Sequence, residues 1–203
     1  MEDVYKTIET CSEGFFSDRG SKFYSFAYPV ENEEQVKEKL NFLKKKYHDA
    51  RHHVYAFMLG DEQTVFRCSD DGEPSNSSGM PILGQIRSFE LSNILIVVVR
   101  YFGGTKLGIP GLINAYKTAA YNAICNARII EKNITNDILI TCSYEDINFV
   151  QLCIKNFNAE IRTQNFENNC TFNVAIKKSL TDSFINEISK NYKVLVSYNK
   201  STF

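Results

Sequence analysis

The sequence predicts an α+β protein of two domains, residues 1–131 and 132–203, and three observations carry that reading. All ten glycines and all four prolines of the 203-residue chain lie before position 112, in local clusters, and the remainder has neither. Apolar residues alternate in some segments and recur at helical spacing in others. Between the two textures runs the polar stretch Glu131-Lys132-Asn133-Ile134-Thr135-Asn136, which separates an apolar helix from an apolar strand.

In the first half, Lys22–Val30 alternates aromatic and small residues and reads as a strand ended by Pro29. Asn32 is placed as a helix N-cap with Gln35 at the capping-box position, and Val36, Leu40, Leu43 and Tyr47 share one helical face. His53–Leu59 and Thr64–Cys68 read as a hairpin around Gly60-Asp61-Glu62. Ile82–Leu91 is a short helix. Ile94–Val99 is β-branched except at Leu95, the composition of a strand buried on both faces. Leu112–Ile124 carries Leu112, Ala115, Tyr116, Ala119, Ala120 and Ala123 at helical spacing, small enough for close packing on a sheet.

The second half gives strand Asp137–Tyr144, then helix Asp146–Asn158 with Phe149, Leu152, Cys153 and Phe157 inward. Strands Ala159–Phe166 and Cys170–Lys177 follow, then helix Thr181–Asn191 and strand Lys193–Tyr198. Strand-helix-strand-strand-helix-strand is the split, ferredoxin-like βαββαβ arrangement, with helices expected on one sheet face and the other face open.

Composition narrows the function. With 23 Lys and Arg against 24 Asp and Glu, the net charge is −1. Neither half is strongly basic: 15 basic and 17 acidic residues precede Lys132, and 8 and 7 follow from it. Nucleic acid would therefore be held by a local patch and not by bulk charge. No apolar run is long enough for a membrane helix, the longest being Ile94–Val99. Met1-Glu2-Asp3-Val4 lacks the pattern of a signal peptide. The six cysteines are scattered without a C-x-x-C pair. Together these point to a cytoplasmic protein with reduced thiols and no membrane contact.

Two loops hold the candidate chemistry. Cys68-Ser-Asp-Asp-Gly-Glu-Pro-Ser-Asn-Ser-Ser-Gly-Met-Pro81 places Asp70, Asp71 and Glu73 beside Gly72. Such crowding needs cations, donors or water to offset repulsion. It reads either as a site for a hard cation or amino group, or as a polar turn whose serines cap the next helix. The second is Arg100-Tyr-Phe-Gly-Gly-Thr-Lys-Leu-Gly-Ile-Pro-Gly111, between a buried strand and a helix. Its glycines permit positive φ and close approach of a backbone or phosphate. Arg100 and Lys106 supply positive charge, and Pro110 suits a first helical turn. The order fits neither a P-loop nor G-x-G-x-x-G, so a phosphate cradle and a turn required for packing both remain open. The strand should end at Tyr101 or Phe102 and the helix begin near Pro110, its free N–H groups forming an anion site with Lys106. His48 and His52 have H-x-x-x-H spacing but no accompanying glutamate motif, and read as ordinary loop or strand-entry histidines. Lys44-Lys45-Lys46 reads as a solvated helix end. No metal or cofactor is expected.

At these same segments the chain resembles the YigZ/IMPACT family. The matching words are Ser21-Lys22-Phe23, Ala50-Arg51-His52-His53-Val54-Tyr55-Ala56, Asp70-Asp71-Gly72-Glu73-Pro74, Gly79-Met80-Pro81-Ile82-Leu83 and Val97-Val98-Val99-Arg100-Tyr101-Phe102-Gly103-Gly104, completed by Lys106-Leu107-Gly108 and Gly111-Leu112…Ala115-Tyr116. They run in order over roughly residues 20–125. The resemblance implies an N-terminal α/β domain of the kind shared by a small-subunit ribosomal protein and the GHMP kinases, and a ferredoxin-like second domain. Family members with a eukaryotic extension are translational regulators; that extra domain is not among these residues. Where many bacterial relatives read Gly-Thr-Gly-Gly, this chain has Gly108-Ile109-Pro110-Gly111.

Residues and resemblance together put forward Lys22, Arg51, His52, Asp70, Asp71, Glu73, Ser78, Arg100, Tyr101, Gly103, Gly104, Lys106, Gly108 and Gly111 as binding positions. The expected function is a translation-associated regulatory or binding protein that contacts RNA, the ribosome or a translation factor. The alternative is an enzyme acting on a phosphorylated small molecule, with the acidic loop and glycine turn holding its phosphate.

Overall fold

A computed structural model describes residues 3–61 and 63–198. Glu62 of the predicted hairpin turn, and Met1 and Glu2 of the N-terminal reading, lie outside the described residues. The described residues form two compact units, Tyr5–Lys132 and residues 133–198 with Asp3 and Val4. The fold is mixed α and β with antiparallel sheets, as the sequence predicts.

The first unit opens with strands β1 (Val4–Ile8) and β2 (Ser12–Asp18), which the sequence reading did not anticipate. Then come β3 (Ser21–Pro29), helix α1 (Glu33–Lys46), β4 (His52–Leu59), β5 (Val65–Ser69), α2 (Gly79–Ser88), β6 (Ile94–Tyr101), α3 (Gly108–Cys125) and β7 (Ile129–Asn133). β1 pairs with β7, and the other five strands form one sheet in the order β2-β3-β6-β4-β5. β6 lies at its centre, flanked antiparallel by β3 and β4. Ile94 through Val99 are wholly buried there, as their β-branched run predicts.

Each face of this sheet has its own core, because successive strand residues point to opposite sides. On one face Phe23, Ala27, Val54, Ala56, Ile96 and Val98 pack against α2 and α3. The small residues of α3 let it approach closely: Ser12 Oγ donates to the Ala123 carbonyl at 2.8 Å and Ser25 Oγ to that of Ala119 at 2.6 Å. A Cβ on Gly14 would fall 2.4 Å from the Ala123 nitrogen, so β2 needs glycine where the helix crosses it. On the other face Phe26, Phe57, Leu95, Val97 and Val99 pack with Val36 and Leu43 of α1. The predicted cap of α1 is present, with Asn32 accepting from the Gln35 N–H at 2.9 Å, while Gln35 Oε1 accepts from the Glu31 N–H. Helix α2 starts at Gly79, three residues before the predicted Ile82, because an acidic residue of the preceding loop caps it there.

The second unit runs β8 (Thr135–Cys142), α4 (Ile147–Asn156), β9 (Glu160–Phe166), β10 (Cys170–Lys177), α5 (Thr181–Ile188) and β11 (Leu195–Tyr198). Its sheet order, β11-β8-β10-β9, is antiparallel throughout and is that of the ferredoxin-like arrangement. Ile138, Ile140, Phe172, Val174 and Ile176 meet Val150 and Ile154 of α4 and Phe184 and Ile188 of α5. On the other sheet face Leu139 and Leu195 are exposed. Leu152, predicted inward, is 56% exposed. The buried stripe of α4 is Val150, Cys153 and Ile154, with Phe157 against it, and position 152 falls off that i, i+3, i+4, i+7 row.

Among the described residues, no helix is long and apolar enough to cross a membrane.

Candidate functional site

All fourteen candidate positions belong to the unit Tyr5–Lys132. The strand registers bring most of them to one end of the five-stranded sheet. Lys22 pairs with Tyr101 across β3 and β6, and His52 pairs with Arg100 across β4 and β6. The start of β3, the start of β4 and the end of β6 therefore coincide, with Arg51 just before β4 and the glycine turn just after β6.

Alternation then sends these neighbours to opposite faces. Arg100 points to the α2–α3 side, where its side chain is 7% exposed and its Nη1 lies 2.5 Å from Oε1 of Glu73, itself 4% exposed. The guanidinium also rests over the Phe23 ring at 5.4 Å. Tyr116, fully buried on α3, donates its hydroxyl to the same Glu73 oxygen at 2.7 Å. Burial, and then the Glu73 charge, push the Tyr116 phenol upward, so it stays a donor. Arg100 Nε has no hydrogen-bond partner among the described residues. Helical spacing accounts for Tyr116 as a packing residue but not for this hydrogen bond. Its signal in the sequence is a phenol on a helix face otherwise apolar and mostly alanine, since a buried Tyr hydroxyl calls for a partner.

The other two acidic residues are engaged just as closely. Asp70 Oδ1 accepts from the Ser78 hydroxyl at 2.6 Å, the Ser78 N–H at 3.1 Å and the Gly79 N–H at 2.8 Å, while Oδ2 accepts from the Asn76 N–H at 2.9 Å. Burial raises its pKa, but these hydrogen bonds outweigh that and hold the carboxyl below its ordinary value. Asp70 is the cap of α2, supplying the anion that a helix N-terminus favours. Asp71, at φ 42°, accepts from the His53 N–H through Oδ2 at 2.6 Å, and its carbonyl meets His52 Nδ1 at 2.8 Å. This loop thus pins the start of β4. Among the described residues no group of three or more His, Cys, Asp or Glu side chains is arranged to hold a metal.

The glycine turn is different. Gly103 meets a structural demand: a Cβ there would lie 1.9 Å from the Gly20 carbonyl carbon. Its N–H donates to Ser21 Oγ at 3.1 Å, which locks the β2–β3 turn against the end of β6. Gly104 and Gly108 have positive φ, and a Cβ on Gly104 would meet nothing. α3 begins at Gly108, so Pro110 falls in its first turn as expected, and no side chain caps that end. Phe102, Gly104, Thr105 and Lys106 are exposed. Among the described residues Lys22, Arg51 and Lys106 form no ion pair.

On the α1 side of the same sheet end, Gly20, Lys22, Tyr24, Tyr47, Tyr101 and Phe102 line an open groove of about 440 Å³. The Tyr101 hydroxyl donates to Asp49 at 2.7 Å. That hydrogen bond, followed by burial, pushes the Tyr101 pKa up to about 12.

The family comparison agrees with these segments. The Impact N-terminal domain matches residues 19–124, which include the acidic loop, the glycine turn and all five positions of the Arg100–Glu73–Tyr116 and Lys22–Tyr101 sets. "IMPACT family member YvyE" of Bacillus subtilis is 25% identical over 184 residues, 91% of this chain and 85% of that protein. An IMPACT family member of Thermus thermophilus is 42% identical over 108 residues, 53% of this chain and 56% of that protein. A crystal structure described only as a hypothetical protein superposes with a TM-score of 0.76 at 21% identity, covering 99% of this chain and all of that one, and shares its fold. With over half its length matched in order, the chain belongs to the Impact N-terminal domain family.

Proposed function

We propose that this protein is a translation-associated regulatory protein whose first unit binds RNA at the sheet end where β6 runs into the glycine turn. One observation carries the reading. Among the described residues Lys22, Arg51 and Lys106 stand at that end without ion-pair partners, while the three carboxylates of the adjoining loop are neutralised by internal donors or by Arg100. A chain of net charge −1 thereby keeps a local cationic patch. Family membership supports the translational part, because extended eukaryotic members are regulators of translation.

The alternative, an enzyme for a phosphorylated small molecule, needs Asp70, Asp71 or Glu73 free to hold a metal or take a proton. Asp70 caps a helix, Asp71 anchors a strand and Glu73 is closed into a pair with Arg100. The arrangement favours binding over that chemistry.

Filter binding with single-stranded and structured RNAs tests the reading. Affinity should fall as salt rises, with a log–log slope of about −2 if three phosphates of a single strand are neutralised. Absence of binding to either RNA class at low salt would overturn it.

A further inference from the structure

The groove on the α1 side has a composition that the cationic patch alone does not explain. Four of its six lining residues are aromatic, and they rise from separate elements: Tyr24 from β3, Tyr47 from the end of α1, Tyr101 from β6 and Phe102 from the loop beyond. Phe102 is 52% exposed, and neighbouring Phe15 on β2 is 47% exposed with its ring 5.1 Å from that of Tyr24. Aromatic rings left to water at one place mark a surface suited to a partner.

The rings are held in position. Tyr24 meets Tyr101 edge-to-face at 6.0 Å and lies nearly parallel to Tyr47 at 6.4 Å, while Asp49 fixes the Tyr101 hydroxyl. Fixing the rings in advance lowers the ordering cost of binding. Lys46 stands 5.3 Å over the Tyr47 ring and the Arg100 guanidinium 5.7 Å over that of Phe102, so each of these rings has one face taken by a cation and offers a base the other. Lys22, exposed and without an ion-pair partner among the described residues, lines the groove as well. Gly20, which lines the groove, is in backbone contact with Gly103.

Aromatic faces with lysines at the rim match the chemistry of an unpaired nucleotide: a flat base over a ring and a phosphate near a cation. Duplex RNA keeps its bases stacked inside and offers no face to such a surface. We infer that this groove is a stacking site for the unpaired bases of single-stranded RNA, with Phe102 and Tyr101 under the bases and Lys22 on the backbone phosphate. The inference rests on the RNA-binding reading above and adds the strand type and the contacting residues to it.

Fluorescence anisotropy with a short labelled oligouridine, and with the same length of RNA duplex as competitor, tests it. Phe102→Ala should weaken oligouridine binding about tenfold, within the range for loss of one base–aromatic stack, and leave the salt slope unchanged. Lys22→Ala should reduce the magnitude of that slope by about 0.7, one single-strand phosphate contact. The duplex should compete poorly. Both side chains are exposed, and thermal melts of the two variants against the parent verify that the fold is intact. As a second measurement, photo-crosslinking of a bromouridine oligonucleotide should label the peptide that contains Tyr101 and Phe102. If RNA binds but both variants match the parent, or if duplex competes as well as single strand, the stacking site is overturned and the RNA reading stands. If no RNA binds at low salt, the RNA reading itself falls.

Discussion

The acidic loop and the glycine turn each lead a strand or hairpin into a helix, and they meet their polar groups in opposite ways. In the acidic loop every carboxylate is answered from inside the fold: Asp70 by the first N–H groups of α2, Asp71 by the backbone of β4, Glu73 by Arg100 and Tyr116. In the glycine turn Lys106 is exposed and α3 starts without a side-chain cap. The first helix end is closed by the protein's own anion and the second is left to solvent. Polar residues at a helix entrance therefore indicate a ligand site only where their internal partners are missing.

Breaking the closed side should have the largest effect. Glu73→Ala leaves a buried guanidinium without its counter-charge and a buried phenol without its acceptor, and should destabilise the protein by about 3–5 kcal/mol in urea unfolding. Replacing both partners, with Glu73→Leu and Arg100→Met together, should recover most of that loss. A cost below about 1 kcal/mol for the single change would mean that the acidic loop is not closed, and the contrast would collapse.

Asp70→Ala should come next, at about 1–2 kcal/mol, the usual scale for a lost helix cap. The effect has a pH signature. Because the folded-state pKa of Asp70 is depressed, its contribution is complete above the ordinary carboxylate value and is lost as pH falls through the folded value. Parent and variant melting curves should therefore converge in acid, below about pH 4.

A smaller effect belongs to His53, whose buried Nε2 has no hydrogen-bond partner among the described residues. Burial lowers its pKa, and the nearby Asp71 charge only partly opposes this. Between the folded value and the ordinary imidazole value near 6.5, the unfolded chain binds the extra proton, so stability is complete above about pH 6.5 and declines as pH falls below it. His53→Phe should flatten the fall in melting temperature between pH 7 and pH 5.

The open side should show the smallest change in stability. Lys106→Ala removes an exposed charge and should shift unfolding by less than about 0.5 kcal/mol. It should nevertheless reduce the magnitude of the salt slope of single-stranded RNA binding by about 0.7. A large loss of stability here would place Lys106 in the fold and erase the difference between the two loops.

Much of the architecture was legible in the chain. The β-branched run Ile94–Val99 became the central strand, and the alanine row of Leu112–Ile124 became the close-packed face of α3. The cap at Asn32 formed as its spacing requires. What escaped notice lacked that periodicity. β2 is Ser-Glu-Gly-Phe-Phe-Ser-Asp, a polar edge strand whose Gly14 is explained only by the helix that crosses it. β1 and β7 are short, and each is completed by the other from the far end of the unit. Of the candidate site, the segments were legible but the partnerships were not. Arg100 looked like a ligand-facing cation and is a buried one, and Tyr101, beside it in sequence, points to the other face of the sheet.

The sequence by itself determined the central strand, the main helices and most of the residues that form their cores. These follow from period, size and φ preference, all of which are local. Only the tertiary structure decided which charges are quenched and which remain available. Glu73 finds Arg100 across 27 positions and Tyr116 across 43, and no periodicity links them. Burial makes those contacts strong, and burial is a property of the assembled sheet and helices. The same assembly carries Lys22, Tyr101 and Phe102 to one rim, where the chain's nearly balanced charge gives way to a local cationic and aromatic surface.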